Sequence, residues 1–119
     1  FIVFTENPDD KTLTQIYSTT DIFLFSSKYE GFGSPPSEAM ACKSAIVANR
    51  VAAIPEYSEH MKNAIHTDPD DIDGLYKGAK LLIDNPELIK QLSEAAYVHI
   101  REFMNWDKSV IEFENYISK

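Results

Sequence analysis

Apolar residues in the first half of the chain occur as short continuous runs, and the segments between these runs show helical spacing. Continuous apolar runs are typical of strands that a parallel sheet covers on both faces. They predict strands at residues 1–4, 22–25 and 45–48, with a fourth candidate at residues 64–67. Between the strands, Asn7 and Pro8 indicate the N-cap and first position of a helix, and residues 36–43 are predicted to form a short helix.

The second half of the chain shows helical periodicity alone. Apolar side chains recur at intervals of three and four from Ile72, again from Leu88, and again behind Trp106, which is expected to anchor the terminal helices. Strands alternating with helices, followed by helices only, predict an α/β fold. We expect residues 1–119 to form one doubly wound, Rossmann-like parallel sheet with flanking C-terminal helices.

Composition supports a globular domain and narrows its surroundings. The 119 residues are 44% hydrophobic and 25% charged, as in ordinary folded domains. The apolar runs are far shorter than the roughly 20 residues that a membrane helix needs. A single cysteine, Cys42, cannot form an internal disulfide, and no apolar leader precedes the first element. We therefore expect a cytoplasmic protein without a membrane span.

The charge balance argues against one large class of partner. A net charge of −8 at pH 7 disfavours nucleic-acid binding, which depends on clustered cations. The charge is unevenly distributed, because residues 26–50 contain three cationic and two acidic side chains. We expect this slightly positive segment of an acidic chain to contain the anion site.

The strongest chemical signal lies in residues 26–38, between a predicted strand and a predicted helix, where ligands bind in open α/β sheets. Gly31 and Gly33 allow the backbone to approach a ligand closely or to adopt positive φ. Free N–H groups at the start of the helix favour an anion. The segment predicts a phosphate-binding turn between Glu30 and Glu38, and is neither a Walker loop nor the dinucleotide fingerprint. An ordinary exposed turn with two surface acids is the alternative.

The sequence around this turn also carries a motif specific to one enzyme family. Glu30-Gly-Phe-Gly-Ser-Pro-Pro-Ser-Glu38-Ala-Met-Ala-Cys42 follows Asp21-Ile-Phe-Leu-Phe-Ser-Ser27 and precedes Ile54-Pro-Glu56. These segments resemble the donor-binding region of the family 4 retaining glycosyltransferases, and the resemblance extends over nearly the whole chain. It implies a GT-B fold of two facing Rossmann-like domains. This chain would be the distal part of the C-terminal, donor-binding domain, with the N-terminal acceptor domain absent from it.

The resemblance implies a role for individual residues. Glu30 would be the catalytic-site carboxylate that contacts donor-sugar hydroxyls, and Glu38 would hold the ribose. The residues expected to contact the sugar and diphosphate are Gly31, Phe32, Gly33, Ser34 and Pro35. Thr5 and Glu6 would lie near the nucleotide base.

By the same resemblance, the reaction is transfer of a hexosyl group from a nucleoside diphosphate sugar with retention of anomeric configuration, without a metal or other cofactor. The acceptor, a polysaccharide, glycolipid or small molecule, would bind through the absent N-terminal domain. That domain would also mediate any peripheral contact with the inner face of a membrane. Because the Arg and Lys that grip the diphosphate lie upstream in this family, the chain alone is expected to be inactive. The positions where the family commonly has glycine hold Lys43, Ala52, Ala53 and Asn63 in this chain.

Other functional classes fit the sequence less well. A non-catalytic nucleotide-sugar binding module would share the fold and the turn. A phosphoacceptor receiver domain needs an aspartate at a strand end where this chain has Phe25-Ser26. A glycosidase acid and base pair formed by Glu30 and Glu38 needs facing carboxyl groups. The three histidines are scattered without the spacing of metal ligands, so no metal site is predicted.

Overall fold

The computed structural model describes residues 2–119, and these form a three-stranded parallel sheet with six helices. The elements in chain order are α1 (Asp10–Ser18), β1 (Ile22–Phe25), α2 (Ser34–Ala41), β2 (Ala45–Asn49), α3 (Ile54–Tyr57), β3 (Ile65–Thr67), α4 (Ile72–Ile83), α5 (Pro86–Phe103) and α6 (Trp106–Ile117). The strand order is β1-β2-β3. The predicted α/β class is confirmed.

The central strand β2 divides the core into two clusters. Its side chains alternate between the faces of the sheet, so Ile46 and Ala48 belong to a cluster that includes residues of α2, α3 and α5. Ala45 and Val47 belong to the other cluster, with Ile65 of β3 and residues of α4 and α5. Every residue of β2 is buried. A continuous apolar run therefore predicted this strand correctly, because helices cover both faces.

The prediction of a strand at residues 1–4 is wrong where the structure describes it. Phe1 lies outside the described residues, and Ile2, Val3 and Phe4 form exposed, irregular chain. An apolar run becomes a strand only when a neighbouring strand pairs with its backbone, and β1 pairs with β2 alone among the described strands. For the same reason β1 is an edge strand. Its Leu24 side chain is half exposed, so the face of the sheet at this position is not fully covered.

Two helices begin at residues other than those predicted, for reasons of local backbone chemistry. Asp9, not Asn7, is the N-cap of α1, and its Oδ1 accepts a hydrogen bond from the Thr12 N–H at 2.8 Å. Asn7 is still in a left-handed conformation with φ 46°. Helix α2 begins at Ser34, two residues before the predicted start, because proline fits the first turn of a helix as well as its first position.

Two of the positions where the resembled family commonly has glycine do need unusual backbone. Lys43, which follows α2, has φ 63°, and Ala52, in the loop after β2, has φ 49°. Only glycine adopts this left-handed region without steric cost. Ala53, with φ −82°, and Asn63 do not share this conformation. The chain therefore keeps the turn geometry at two of these positions with residues that strain it.

The terminal helix α6 lies apart from the core. None of its residues is buried, and Trp106 is 82% exposed. The expectation that Trp106 anchors helix packing is therefore wrong. Helical spacing correctly predicted an apolar stripe through Val110, Phe113 and Ile117, but spacing carries no information on what a stripe packs against. None of the helices in residues 2–119 is both long and apolar enough to cross a bilayer.

Candidate functional site

Asn49 joins the strand ends at the edge of the sheet from which the chain enters the functional turn, residues 30–38. This residue ends β2 and is 1% exposed. Its Nδ2 donates to the Ser27 carbonyl at 3.1 Å, and its Oδ1 accepts from the Thr67 hydroxyl at 2.7 Å. One amide thus ties the chain leaving β1 to the end of β3. The turn that follows Ser27 starts from a fixed point at the carboxyl ends of all three strands, the usual ligand-binding edge.

Gly33 is the residue of the turn that the fold requires to be glycine. It is buried and has φ 87°, and a Cβ built on it would lie 2.9 Å from Ile54 Cγ1. Its carbonyl accepts a hydrogen bond from the Tyr57 hydroxyl at 2.6 Å. Helix α3, which supplies both neighbours, is therefore the support on which the turn rests.

Gly31 differs from Gly33, because a Cβ built there would meet nothing within 4 Å and its φ is not positive. The fold would accept a larger residue at this position. Of the two reasons that the sequence suggested for glycine, positive φ applies to Gly33 alone. Gly31 leaves open space beside the turn.

The backbone donors of the site come from the turn more than from the helix. Pro35 and Pro36 occupy the second and third positions of α2 and have no N–H. The start of α2 therefore offers fewer free N–H groups than a helix start without proline. Within residues 2–119, no backbone or side-chain acceptor takes a hydrogen bond from the N–H of Gly31, Phe32 or Gly33. These groups, with Ser34 at the positive end of α2, form the anion-binding potential of the site.

The two glutamates are exposed and each affects a different tyrosine. Burial, and then the negative charge of Glu30, raises the pKa of Tyr57. Burial, and then the carboxylate of Glu38, raises the pKa of Tyr17 to about 12. Tyr57 belongs to α3 and Tyr17 to α1, so the two carboxylates influence side chains of different helices. That they flank a ligand stays a prediction.

Concave surface adjoins the turn on several sides. Glu38 lies between a cleft of about 390 Å³ and another of about 300 Å³, the first lined also by Arg101 and the second by Tyr17. A third cleft of about 350 Å³ brings Phe32 of the turn next to Trp106. The exposed tryptophan is therefore close to the site rather than part of the core.

The cations near the turn are already engaged by other side chains. Lys28 forms an ion pair with Asp70, and Arg50 forms one with Asp68, to which its Nε also donates at 3.2 Å. Lys43 lies over the Tyr97 ring, 4.7 Å from its centroid. The expectation of a slightly positive segment holds along the sequence, but aspartates of the loop after β3 neutralise it in space. The backbone N–H groups of the turn are the donors that no acceptor among residues 2–119 already occupies.

His66 has a structural role beside the site. Its Nε2 lies 2.8 Å from the Ser58 hydroxyl, and its backbone N–H donates to His60 Nδ1 at 3.0 Å. Burial, followed by the charges of His60 and Arg50, lowers the pKa of His66 to about 4. Within residues 2–119, no three His, Cys, Asp or Glu side chains are grouped as metal ligands would be.

The structure brings together most of the residues predicted for the site. Glu30 to Pro35 form the turn and helix start, and Glu38 lies one helical turn further along α2. Thr5 and Glu6 are exposed residues before α1, and no hydrogen bond among the described residues joins them to the turn. Sequence reasoning missed Asn49 and Tyr57. A buried tyrosine needs a partner for its hydroxyl, which was the available signal for Tyr57, directly after the Ile54-Pro-Glu56 segment.

Comparison with known proteins places the chain in a family. The model of the family described as glycosyl transferases group 1 matches residues 1–99. An uncharacterised glycosyltransferase of Methanocaldococcus jannaschii is 34% identical over 115 residues, which cover 95% of this chain and 29% of that protein. This chain therefore spans less than a third of that relative.

Solved structures agree on the fold. Sucrose-phosphate synthase from Thermosynechococcus elongatus has a TM-score of 0.86 at 21% identity, over 98% of this chain and 29% of that one. Anabaena HepE in complex with UDP-glucose has a TM-score of 0.80 at 20% identity, over 89% of this chain and 29% of that one. The Rossmann-like sheet is the one found in GT-B glycosyltransferases, and the chain belongs to the glycosyl transferases group 1 family.

Proposed function

We propose that this chain is the donor-binding part of a retaining glycosyltransferase and holds a nucleoside diphosphate sugar at the turn from Glu30 to Glu38. One observation carries the proposal: a turn of unpaired backbone N–H groups is held on α3 between two exposed carboxylates. Membership of the family supports it. Anabaena HepE, whose fold is similar to that of this chain, has been crystallised in complex with UDP-glucose.

In the proposed complex, the diphosphate lies against the N–H groups of residues 31–34. Negative charge develops on the leaving diphosphate as its bond to the sugar breaks, and fixed donors stabilise that charge without reorganising. Glu30 accepts hydrogen bonds from sugar hydroxyls and orients the ring. Glu38 accepts hydrogen bonds from the ribose.

We further propose that transfer retains the anomeric configuration and needs no metal or other cofactor, and that the acceptor binds to parts of the protein outside this chain. The engaged state of Lys28 and Arg50 supports the view that this chain alone is inactive. Cations from elsewhere would have to neutralise the departing diphosphate. We propose a cytoplasmic location, in keeping with a single, free Cys42.

Calorimetric titration tests the donor assignment. The protein is titrated with uridine, guanosine and adenosine diphosphate sugars, and one of these series is expected to saturate. Glu38→Gln is expected to weaken binding about tenfold or more, since charged hydrogen bonds to two ribose hydroxyls are lost. Glu94→Gln, an exposed acid of α5 away from the turn, is the matched control. Absence of saturable binding in the whole series contradicts the proposal.

A non-catalytic binding module is the second candidate, because a chain whose cations near the turn are engaged can bind a donor without activating it. The two candidates differ in turnover. A transferase releases nucleoside diphosphate from its donor in the presence of acceptor extract, whereas a binding module returns the donor intact. Chromatography of the nucleotide after incubation separates the two.

A further inference from the structure

Tyr57 supports the functional turn from below. It is the last residue of α3 and fully buried, and its hydroxyl donates to the Gly33 carbonyl at 2.6 Å. Its ring packs against the Phe32 ring, with centroids 5.4 Å apart. One side chain therefore contacts both residues that precede α2, across 24 positions of sequence to Gly33 and 25 to Phe32.

The hydrogen bond from Tyr57 also determines where the next N–H points. The Gly33 to Ser34 peptide is trans, and in a trans peptide the carbonyl and the following N–H point in opposite directions. Because the Gly33 carbonyl points to buried Tyr57, the Ser34 N–H points away from it, on the exposed side of the turn. Glycine is the residue least able to hold such a peptide in place by itself.

We propose that Tyr57 is a positioning residue for donor binding, whose hydroxyl holds the Gly33 to Ser34 peptide so that the Ser34 N–H faces the donor diphosphate. This inference rests on the function proposed above. Tyr57 does not touch the ligand and acts through the backbone. Burial together with the charge of Glu30 raises the pKa of Tyr57, so its hydroxyl keeps the proton that it donates.

The test removes the hydroxyl and keeps the ring. Tyr57→Phe preserves the contact with Phe32, and Tyr29→Phe, which alters an exposed tyrosine near the same turn, is the matched control. Two quantities are measured on each protein: backbone ¹⁵N order parameters without ligand, and the affinities for a nucleoside and for its diphosphate. A dispersed amide spectrum establishes that each variant is folded.

We expect the order parameters of Gly33 and Ser34 to fall in Tyr57→Phe from about 0.85 toward 0.6, the range of flexible backbone. Affinity for the diphosphate should fall about fivefold, as for one lost hydrogen bond, while affinity for the nucleoside stays unchanged. A residue with only a packing role would weaken both ligands equally or neither. Tyr29→Phe should match the wild type in both measurements.

The outcomes separate this inference from the function beneath it. If the wild type binds nucleotides and Tyr57→Phe retains the order parameters or the full affinity for the diphosphate, the positioning role is wrong and the proposed function stands. If the wild type binds none of the nucleotides, the proposed function is wrong and the donor role of Tyr57 falls with it. The order parameters still show in that case whether the hydroxyl holds the peptide.

Discussion

Substituting the two glycines of the turn separates the demands of the fold from those of the ligand. In Gly33→Ala, alanine must adopt φ 87°, which costs roughly 1–2 kcal/mol for a residue with a Cβ. The new methyl group would also lie 2.9 Å from Ile54 Cγ1 and 3.4 Å from the Tyr57 hydroxyl oxygen. Such contacts force a shift of a buried side chain, and overpacking of this kind costs about 1–3 kcal/mol.

The combined loss for Gly33→Ala is about 2–5 kcal/mol, a large share of the roughly 5–15 kcal/mol that stabilises a typical domain. Gly31→Ala should change the free energy of unfolding by less than about 0.5 kcal/mol, because the added Cβ meets no atom. Gly31→Ala is instead expected to weaken binding of the nucleotide sugar, since the added methyl group fills the open space beside the backbone N–H groups of the turn.

Urea denaturation followed by circular dichroism measures both free energies, and calorimetric titration measures both affinities. The reasoning is refuted if Gly33→Ala is as stable as the wild type, because the turn would then not rest on α3. It is also refuted if Gly31→Ala destabilises the fold as much as Gly33→Ala. Binding of the donor by Gly31→Ala with unchanged affinity would move the ligand away from Gly31.

Three further predictions concern stability. Unfolded histidine has a pKa near 6.5 and folded His66 one of about 4, so the unfolded chain binds more protons between these values and stability falls as pH is lowered through them. In urea titrations His66→Gln should lose about 2 kcal/mol less than the wild type over this range, after allowance for partial exposure, and an equal loss would contradict the assignment. Ala52→Gly removes the steric cost of a left-handed alanine and should stabilise the fold by about 0.5–1 kcal/mol, which raises the melting temperature. Ala53→Gly, at φ −82°, should lower the melting temperature, and equal effects of the two substitutions would contradict the strain argument. Asn49→Leu leaves the Ser27 carbonyl and the Thr67 hydroxyl without their partner and should lower the free energy of unfolding, measured by chemical denaturation, by about 2–4 kcal/mol. Adding Thr67→Val should recover part of this loss, and additive losses in the double variant would contradict the shared network.

Sequence periodicity predicted the parts of the fold whose surroundings are symmetrical. Strand β2 has a continuous apolar run, Ala45 to Ala48, because both of its faces are covered. Residues 2–4 have the same pattern with no strand beside them, and Trp106 has a helical stripe with no surface beneath it. In both cases the apolar pattern indicates which element the segment favours, but a neighbouring strand or helix decides whether its side chains become buried.

The candidate site divides in the same way. The location of the turn and the two glutamates that bound it follow from local chemistry, whereas the reason why Gly33 rather than Gly31 must be glycine lies in α3. The contacts that hold the turn do not, because Tyr57 and Asn49 reach it across 24 and 22 positions of sequence. The engagement of Lys28 and Arg50 was hidden for the same reason, since their partners follow β3.

The proline pair of α2 has a consequence for the entropy that the site loses on folding. An isolated helix of eight residues is too short to persist in water, chiefly because fixing the first turn costs backbone entropy before any hydrogen bond compensates for it. Pro35 and Pro36 have φ values set by their rings even in the unfolded chain. The prolines thus remove part of the backbone entropy that the first turn of α2 would otherwise lose on folding. A proline also disfavours the helical region for the residue before it, here Ser34 and Pro35, so packing against α5 and β2, rather than early local order, holds the helix that carries Glu38.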